Sequence, residues 1–320
     1  MSIPNRPRYA ARLNAFKRLG GDVADWIEAA GRVGGLTAAD LNYPDHLERH
    51  APGDLTARLG DAGLALNGLA MRYYSDPACA IGAFTNPDPG VRRAAIDLTK
   101  RGLDACAEMG GGVMTLWMGQ DGFDYAFQID YARAWDDTVA ALREVADHAP
   151  GIDIAVEYKP DEPRCFALMP DIGQTLLGVR EASRGNLGVT LDFAHVLYAK
   201  EMPAHSAALV GRHSRLMGVH LNDGYGARDD GLMVGTVHAV QTVELFVELA
   251  RLGYAGAIYF DTFPDAGGLH PVEEARTNLA IVERLREVAA GLADNADLAA
   301  AISRQDAALS QRIVARALYG

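Results

Sequence analysis

Four side chains able to bind a metal stand near the ends of apolar runs in the second half of this chain. Glu157 lies in "IDIAVEY" (152–158), Asp192 in "LGVTLDF" (187–193), His220 in "LMGVHLN" (216–222) and Asp261 in "GAIYFDTF" (256–263). Each follows the last by about one β/α unit. Lys159 comes two residues after Glu157, His195 three after Asp192, and "GARDDG" (226–231) puts Asp229 and Asp230 on the loop after His220. Three carboxylates brought together without a counter-charge repel one another and lose hydration, at a cost of several kcal/mol each. A divalent cation removes that conflict. An oxygen-rich set with one imidazole suits Mn²⁺ best, with Co²⁺, Mg²⁺ or Zn²⁺ as alternatives. Glu157, Asp192, His220 and Asp261 would hold a first ion. His195 with Asp230 or Asp229 would hold a second, with Asp192 bridging both, giving one or two ions per chain.

Each residue alone has a plainer reading. Asp192 can cap the following helix, His220 can be a satisfied core histidine, Lys159 can neutralise Glu157, and Asp229 can be a solvated loop residue. Four such coincidences at four successive strand ends are a poorer explanation than a shared site.

The elements that must position these residues recur along the chain. Eight apolar runs alternate with helix-period segments: the four above, preceded by "YAARLNAF" (9–16), "GLTAADLN" (35–42), "LALNGLAM" (64–71) and "GVMTLWM" (112–118). Examples of the helical segments are "DVADWIEAAGRV", "DYARAWDDTVAALREVADHA" and "VQTVELFVELARLGY". The run 9–16 fits a helix as well as a strand. Eight β/α units predict an α/β chain folded as a (β/α)8 TIM barrel, whose active site lies at the C-terminal ends of its strands. The barrel domain is expected over residues 1–290. The Ala-rich segment 291–320 is expected to form a C-terminal helical extension of one or two helices, packed on the barrel or on a neighbouring subunit. The triple glycine Gly110–Gly112 precedes a strand, at the wrong end of the barrel for a phosphate grip, and stops a helix instead.

Composition narrows the partners. With 320 residues, about half of them apolar, the chain can fill a large core. A formal net charge of -12 argues against nucleic acid or an anionic membrane. Cys79, Cys106 and Cys165 form no C-x-x-C, which disfavours a disulfide framework or a cysteine zinc site. No signal-like or membrane-length apolar segment occurs, so a cytoplasmic protein is expected.

The last four strand ends resemble the xylose-isomerase-like TIM barrels, which include sugar isomerases, ketose 3-epimerases and endonuclease IV. "VEYKP" resembles the Glu-x-Lys of the aldose isomerases, and "LDFAH" matches an Asp-x-x-His that bridges and binds two metals. "GVHLND" and "YFDTF" match the remaining metal strands, and "LWMGQDGFDY" (116–125) is similar to a Trp-containing stretch after strand four. Within the family the pattern looks most like L-rhamnose isomerase and related sugar isomerases. Xylose isomerase itself carries glutamate and aspartate where this chain has Asp192 and His220. The 3-epimerases usually carry a glutamate at the position of Asp261. Endonuclease IV needs more histidines and a basic surface. In the second-metal loop, Arg228 stands where an aspartate would be expected.

The resemblance implies aldose–ketose isomerisation of a small unphosphorylated sugar by hydride shift from C2 to C1. Glu157 and Asp261 would serve the catalytic centre, and Lys159 would bond the C1 oxygen as charge develops there. Trp117 would wall off water. Asn42, Arg72, Asp121 and Arg164 are candidates for contacting substrate hydroxyls. Two alternatives belong to the same resemblance: ketose 3-epimerisation by deprotonation and reprotonation, and lyase or deglycosidase chemistry on keto-sugars. A homodimer or homotetramer is the expected assembly.

Overall fold

The computed structural model describes residues 7–320; residues 1–6, with which the expected barrel domain begins, lie outside the described residues. Eight strands form one closed parallel barrel. They are β1 (Tyr9–Arg12), β2 (Ala38–Tyr43), β3 (Ala65–Met71), β4 (Val113–Trp117), β5 (Asp153–Glu157), β6 (Leu187–Asp192), β7 (Leu216–Leu221) and β8 (Ile258–Phe260). Each pairs with the next in the chain, and β8 closes on β1 with Tyr9 opposite Ile258. Most strand residues are buried on both faces, which is why the strands read as apolar runs rather than alternating ones.

The segment 9–16 divides. Tyr9–Arg12 is strand, and Leu13–Leu19 turns into a 3-10 helix whose residues 13–16 are buried. The strand therefore ends at Arg12, a charged residue at the mouth.

Helices pack outside the strands, and their starts follow from local chemistry. Asp88, Asp130 and Asp171 each cap a helix by accepting a backbone N–H of its first turn. The helix Pro89–Glu108 stops before Gly110, whose φ of 74° is left-handed, so that part of the triple glycine is the stop read from the sequence. One apolar cluster fills the space between strands and helices, from Leu13 and Ile27 to Leu292 and Leu298. A second, Ala10, Ala38, Ala257 and Tyr259, lies across β2, β1 and β8. After the long helix Pro271–Ala293 come two more, Ala296–Ser303 and Ala307–Tyr319. Ile313, Val314, Ala317 and Leu318 of the last helix pack against the main cluster. No helix among the described residues is long and apolar enough to cross a membrane.

Candidate metal centre

The parallel register brings the four predicted ligands to one rim. Glu157 is the last residue of β5, Asp192 the last of β6 and directly opposite His220 of β7, and Asp261 follows β8 immediately. One ligand atom from each lies within 4.8 Å of all the others. His220 Nδ1 is the hub: it lies 3.2 Å from Glu157 Oε1, 3.8 Å from Asp261 Oδ2 and 4.0 Å from Asp192 Oδ2. Glu157, Asp192 and His220 are buried, and Asp261 is half-buried.

Asp192 fills both roles that its sequence position allows. Its Oδ1 accepts the N–H of His195 and caps the helix Phe193–Tyr198. The carboxylate also stands in the cluster. Asn222 braces it, with Nδ2 lying 3.1 and 3.0 Å from the two carboxylate oxygens.

The electrostatics show what such a cluster needs. Burial, then the negative charges of Asp229, Asp261 and Glu157, push the Asp192 carboxyl up to about 7 against the pull of His195. Burial would lower His220, but Glu157, Asp261 and Asp192 outweigh it and hold the imidazole up to about 9. Glu157 shows the converse: burial raises it, yet His220 and His195 bring it down to about 2. Protons on the histidines thus compensate the carboxylates. One divalent cation in contact with all four side chains would do so more completely, and the donor set is oxygen-rich with a single imidazole. The four residues fit such an ion.

The second set is arranged differently from the first. His195 Nδ1 lies 3.0 Å from the carbonyl oxygen of Tyr158, which turns Nε2 toward Asp229 Oδ2 at 3.1 Å. Lys159 Nζ donates to the same Asp229 oxygen at 3.1 Å and pairs with Glu162 at 2.8 Å. The structure brings Asp229, and not Asp230, to His195. Asp230 is turned away: its oxygens accept the N–H of Tyr225 and the Nε of Arg228, both at 2.7 Å.

A cavity of about 270 Å³ opens beside the cluster. Trp117 and Arg72, read from the sequence as candidate substrate contacts, line it with Lys159. Lys159 Nζ sits 5.4 Å from the centre of the Trp117 ring, and Tyr74 meets that ring edge-on. Three other predicted contacts do not line the cavity. Asn42 is buried against His46, which accepts its backbone N–H. Asp121 is buried and accepts the N–H of Ala83 and of Thr85 and the Thr85 hydroxyl, locking the 83–85 loop. Arg164 is buried in an ion pair with Asp124 at 2.8 Å. In each, a neighbouring segment engages the polar group: His46 for Asn42, residues 83–85 for Asp121 and Asp124 for Arg164.

Other cavity residues escaped the sequence reading. Arg12 Nε lies 3.0 Å from Asp261 Oδ1, and Arg12 also stacks on Phe263. Asp40, Tyr259 and Thr115 complete the wall. Placing the end of β1 at Arg12 rather than residue 16 would have exposed Arg12 to the same strand-end test that found Glu157. Asn222, two residues past His220, follows the same logic. Asp40 gives a different signal: a carboxylate inside the apolar run "GLTAADLN".

Comparison with known proteins agrees with this geometry. Residues 18–288 match the model of the family described as xylose isomerase-like TIM barrel. The xylose isomerase of Thermus thermophilus is 30% identical over 209 residues, covering 63% of this chain and 54% of that enzyme, so the match spans about half the length of the relative. Among solved structures, D-psicose 3-epimerase of Clostridium cellulolyticum H10, crystallised with D-tagatose, superposes with a TM-score of 0.70 at 17% identity, over 87% of this chain and 99% of that one. An L-ribulose 3-epimerase gives 0.72 at 17% identity, over 91% of this chain and 99% of that one. The matched span takes in Glu157, Asp192, His220 and Asp261 and all but the first of the eight strands, and the chain belongs to the xylose isomerase-like TIM barrel family.

Proposed function

We propose that the protein is a divalent-metal-dependent aldose–ketose isomerase acting on a small, unphosphorylated sugar. The observation that carries the reading is that Lys159 lines the same cavity as Glu157, His220 and Asp261, three members of the four-residue cluster. A bound ion, Mn²⁺ by preference and Co²⁺, Mg²⁺ or Zn²⁺ as alternatives, would supply Lewis-acid polarisation of two neighbouring sugar oxygens.

The chain's own groups supply the rest. Lys159 donates a hydrogen bond to the C1 oxygen as negative charge builds there. Burial opposes its charge, but Asp229 and Glu162 more than offset this and keep the amine cationic. Asp229, held by His195 and Lys159, accepts the proton of the C2 hydroxyl and returns it to the C1 oxygen. Between those proton transfers the C2–H bond breaks with its electron pair and a C1–H bond forms. Trp117, Tyr74 and Phe263 wall this part of the cavity and exclude water from the migrating hydrogen.

Cavity size supports the substrate class. About 270 Å³ admits one monosaccharide and leaves little room for a glycoside's second group, which counts against a deglycosidase. Epimerisation at C3 requires a base on each face of one carbon, and one oxygen of Asp261 is already taken by Arg12.

The test is to react aldoses and ketoses with the Mn²⁺-loaded protein in D2O and locate deuterium by NMR. A hydride shift leaves the product nearly free of solvent deuterium. Deuterium at C3 would replace this reading with the 3-epimerase, and elimination from a 3-keto substrate without aldose turnover would replace it with the lyase.

A further inference from the structure

Five acids line the cavity, and four of them are engaged. Glu157 pairs with His220 at 3.2 Å, Glu162 and Asp229 with Lys159 at 2.8 and 3.1 Å, and Asp261 with Arg12 at 3.0 Å. The fifth, Asp40, makes no ion pair among the described residues.

Asp40 is nevertheless well placed and buried. It is 5% exposed. The register of β2 against β3 shifts between Ala39 and Asp40, an irregularity of the kind that re-aims a side chain. Asn67 Nδ2 donates to Oδ2 at 3.2 Å and fixes the carboxylate. Oδ1 is left buried with no hydrogen-bond partner. An acceptor of this kind is costly to leave unmet, so it points to a ligand that supplies a donor.

The position on the wall says which part of a ligand. In register, Asp40 stands beside Arg12 on β1, and β1 separates it from β8, which Asp261 immediately follows. Two inter-strand spacings amount to roughly 10 Å, so Asp40 faces a part of the ligand several atoms from whatever the cluster holds. Arg72 is a donor on the same wall, past the end of β3 and four residues beyond the level of Asp40: it lines the cavity, forms no ion pair among the described residues, and its buried Nε has no partner. A carbon chain bearing hydroxyls satisfies both, because a hydroxyl donates to Asp40 and accepts from Arg72. A carboxylate or phosphate at that end would meet the Asp40 charge and has no proton to donate.

We propose that Asp40 is a specificity-determining residue: it accepts a hydrogen bond from a hydroxyl on the part of the sugar chain remote from the metal cluster, and it excludes ligands anionic at that end. The proposal rests on the sugar-binding reading above, but it is tested by binding rather than turnover. Calorimetric titration of the Mn²⁺-loaded protein with ribitol, xylitol, arabitol, mannitol, sorbitol and galactitol identifies the tightest alditol. The matching aldonate is then titrated, and both are repeated with Asp40→Asn and Asp40→Ala. Mn²⁺ affinity is measured alongside to show that each variant keeps its folded site.

In the wild type the aldonate is expected to bind at least about 10-fold more weakly than the alditol. Asp40→Ala is expected to weaken the alditol about 10- to 100-fold, and Asp40→Asn to narrow the gap between alditol and aldonate. The proposal is overturned if no alditol binds the wild type, if both variants bind alditol and aldonate as the wild type does, or if both lose Mn²⁺ binding in step with alditol binding. Alditol binding that behaves as expected, without interconversion of any sugar, leaves Asp40's role standing and removes the isomerase reading instead.

Discussion

Asn222 holds Asp192 from one side: its Nδ2 lies 3.1 and 3.0 Å from the two carboxylate oxygens, while its Oδ1 accepts the N–H of Ala194 at 2.8 Å. The backbone at the start of the Phe193–Tyr198 helix therefore fixes Asn222, and Asn222 fixes the carboxylate. Partners of this kind orient metal ligands and are worth about 10- to 100-fold in metal affinity. Asn222→Ala is expected to weaken Mn²⁺ binding by that factor and, because it strips the buried Ala194 N–H of its acceptor, to cost roughly 1–3 kcal/mol of stability. Calorimetric titration checks it, and unchanged affinity would remove Asn222 from the site.

The same cluster predicts how metal binding responds to pH. His220 is held up to about 9 by the surrounding carboxylates, so at pH 7 the metal-free site carries a proton there. Burial and like charges also raise Asp192 to about 7. A cation must displace those protons, so Mn²⁺ affinity should rise with pH from about 6 to about 9, by roughly tenfold per unit where one proton leaves. Stability runs the other way in the absence of metal. The raised histidines stabilise the fold fully below their unfolded value near 6.5, and that contribution is lost as pH climbs through about 9 for His220 and about 10 for His195. Added Mn²⁺ should therefore raise the melting temperature more at pH 9 than at pH 6. A larger shift at pH 6 would contradict the assignment of the proton to His220.

The sequence carried the barrel because parallel strands buried on both faces read as apolar runs, and carried the first metal set because each ligand closes such a run. Glu157, Asp192, His220 and Asp261 needed only the unit spacing to be placed together. Side-chain direction was not legible in the same way. Asp229 and Asp230 are adjacent, and which one faces His195 depends on Arg228 and on the N–H of Tyr225 capturing the other. Asn42 and Arg164 lie near or beyond strand ends, yet the Asn42 side-chain amide meets His46 and Arg164 pairs with Asp124. Arg12 was obscured because the apolar pattern continues through Leu13–Phe16 after the strand has become a 3-10 helix.

Asp121 illustrates the separation of structural from functional carboxylates. Its Oδ1 accepts three hydrogen bonds at 2.6 to 2.9 Å from the 83–85 segment, and it does not line the cavity of about 270 Å³. Removing it leaves two backbone N–H groups and one hydroxyl without their acceptor. Asp121→Ala is expected to cost roughly 2–4 kcal/mol of stability. The midpoint of urea unfolding should fall, while Mn²⁺ affinity of the folded protein stays as in the wild type. Intact stability with lost substrate binding would return Asp121 to the list of substrate contacts.

Lys159, Asp229 and Asp230 separate chemistry from loop architecture. Lys159 and Asp229 share the hydrogen bond inside the cavity, with His195 on the other side of Asp229. Asp230 instead pins its loop through Arg228 and the N–H of Tyr225. Lys159→Met removes the donor proposed to meet developing charge and should lower kcat about 10²- to 10³-fold with KM within a few-fold. Asp229→Asn removes the acceptor proposed to move the proton and should likewise fall mainly on kcat. Asp230→Asn keeps an acceptor for the Tyr225 N–H and loses only the charge facing the exposed Arg228, so its kcat should remain within about threefold of the wild type. Steady-state kinetics on the sugar identified by the aldose screen, with Mn²⁺ content measured for each variant, checks the set. If Asp230→Asn proves as damaging as Asp229→Asn at equal metal content, the proton route runs through Asp230 and the loop must rearrange to bring it to His195.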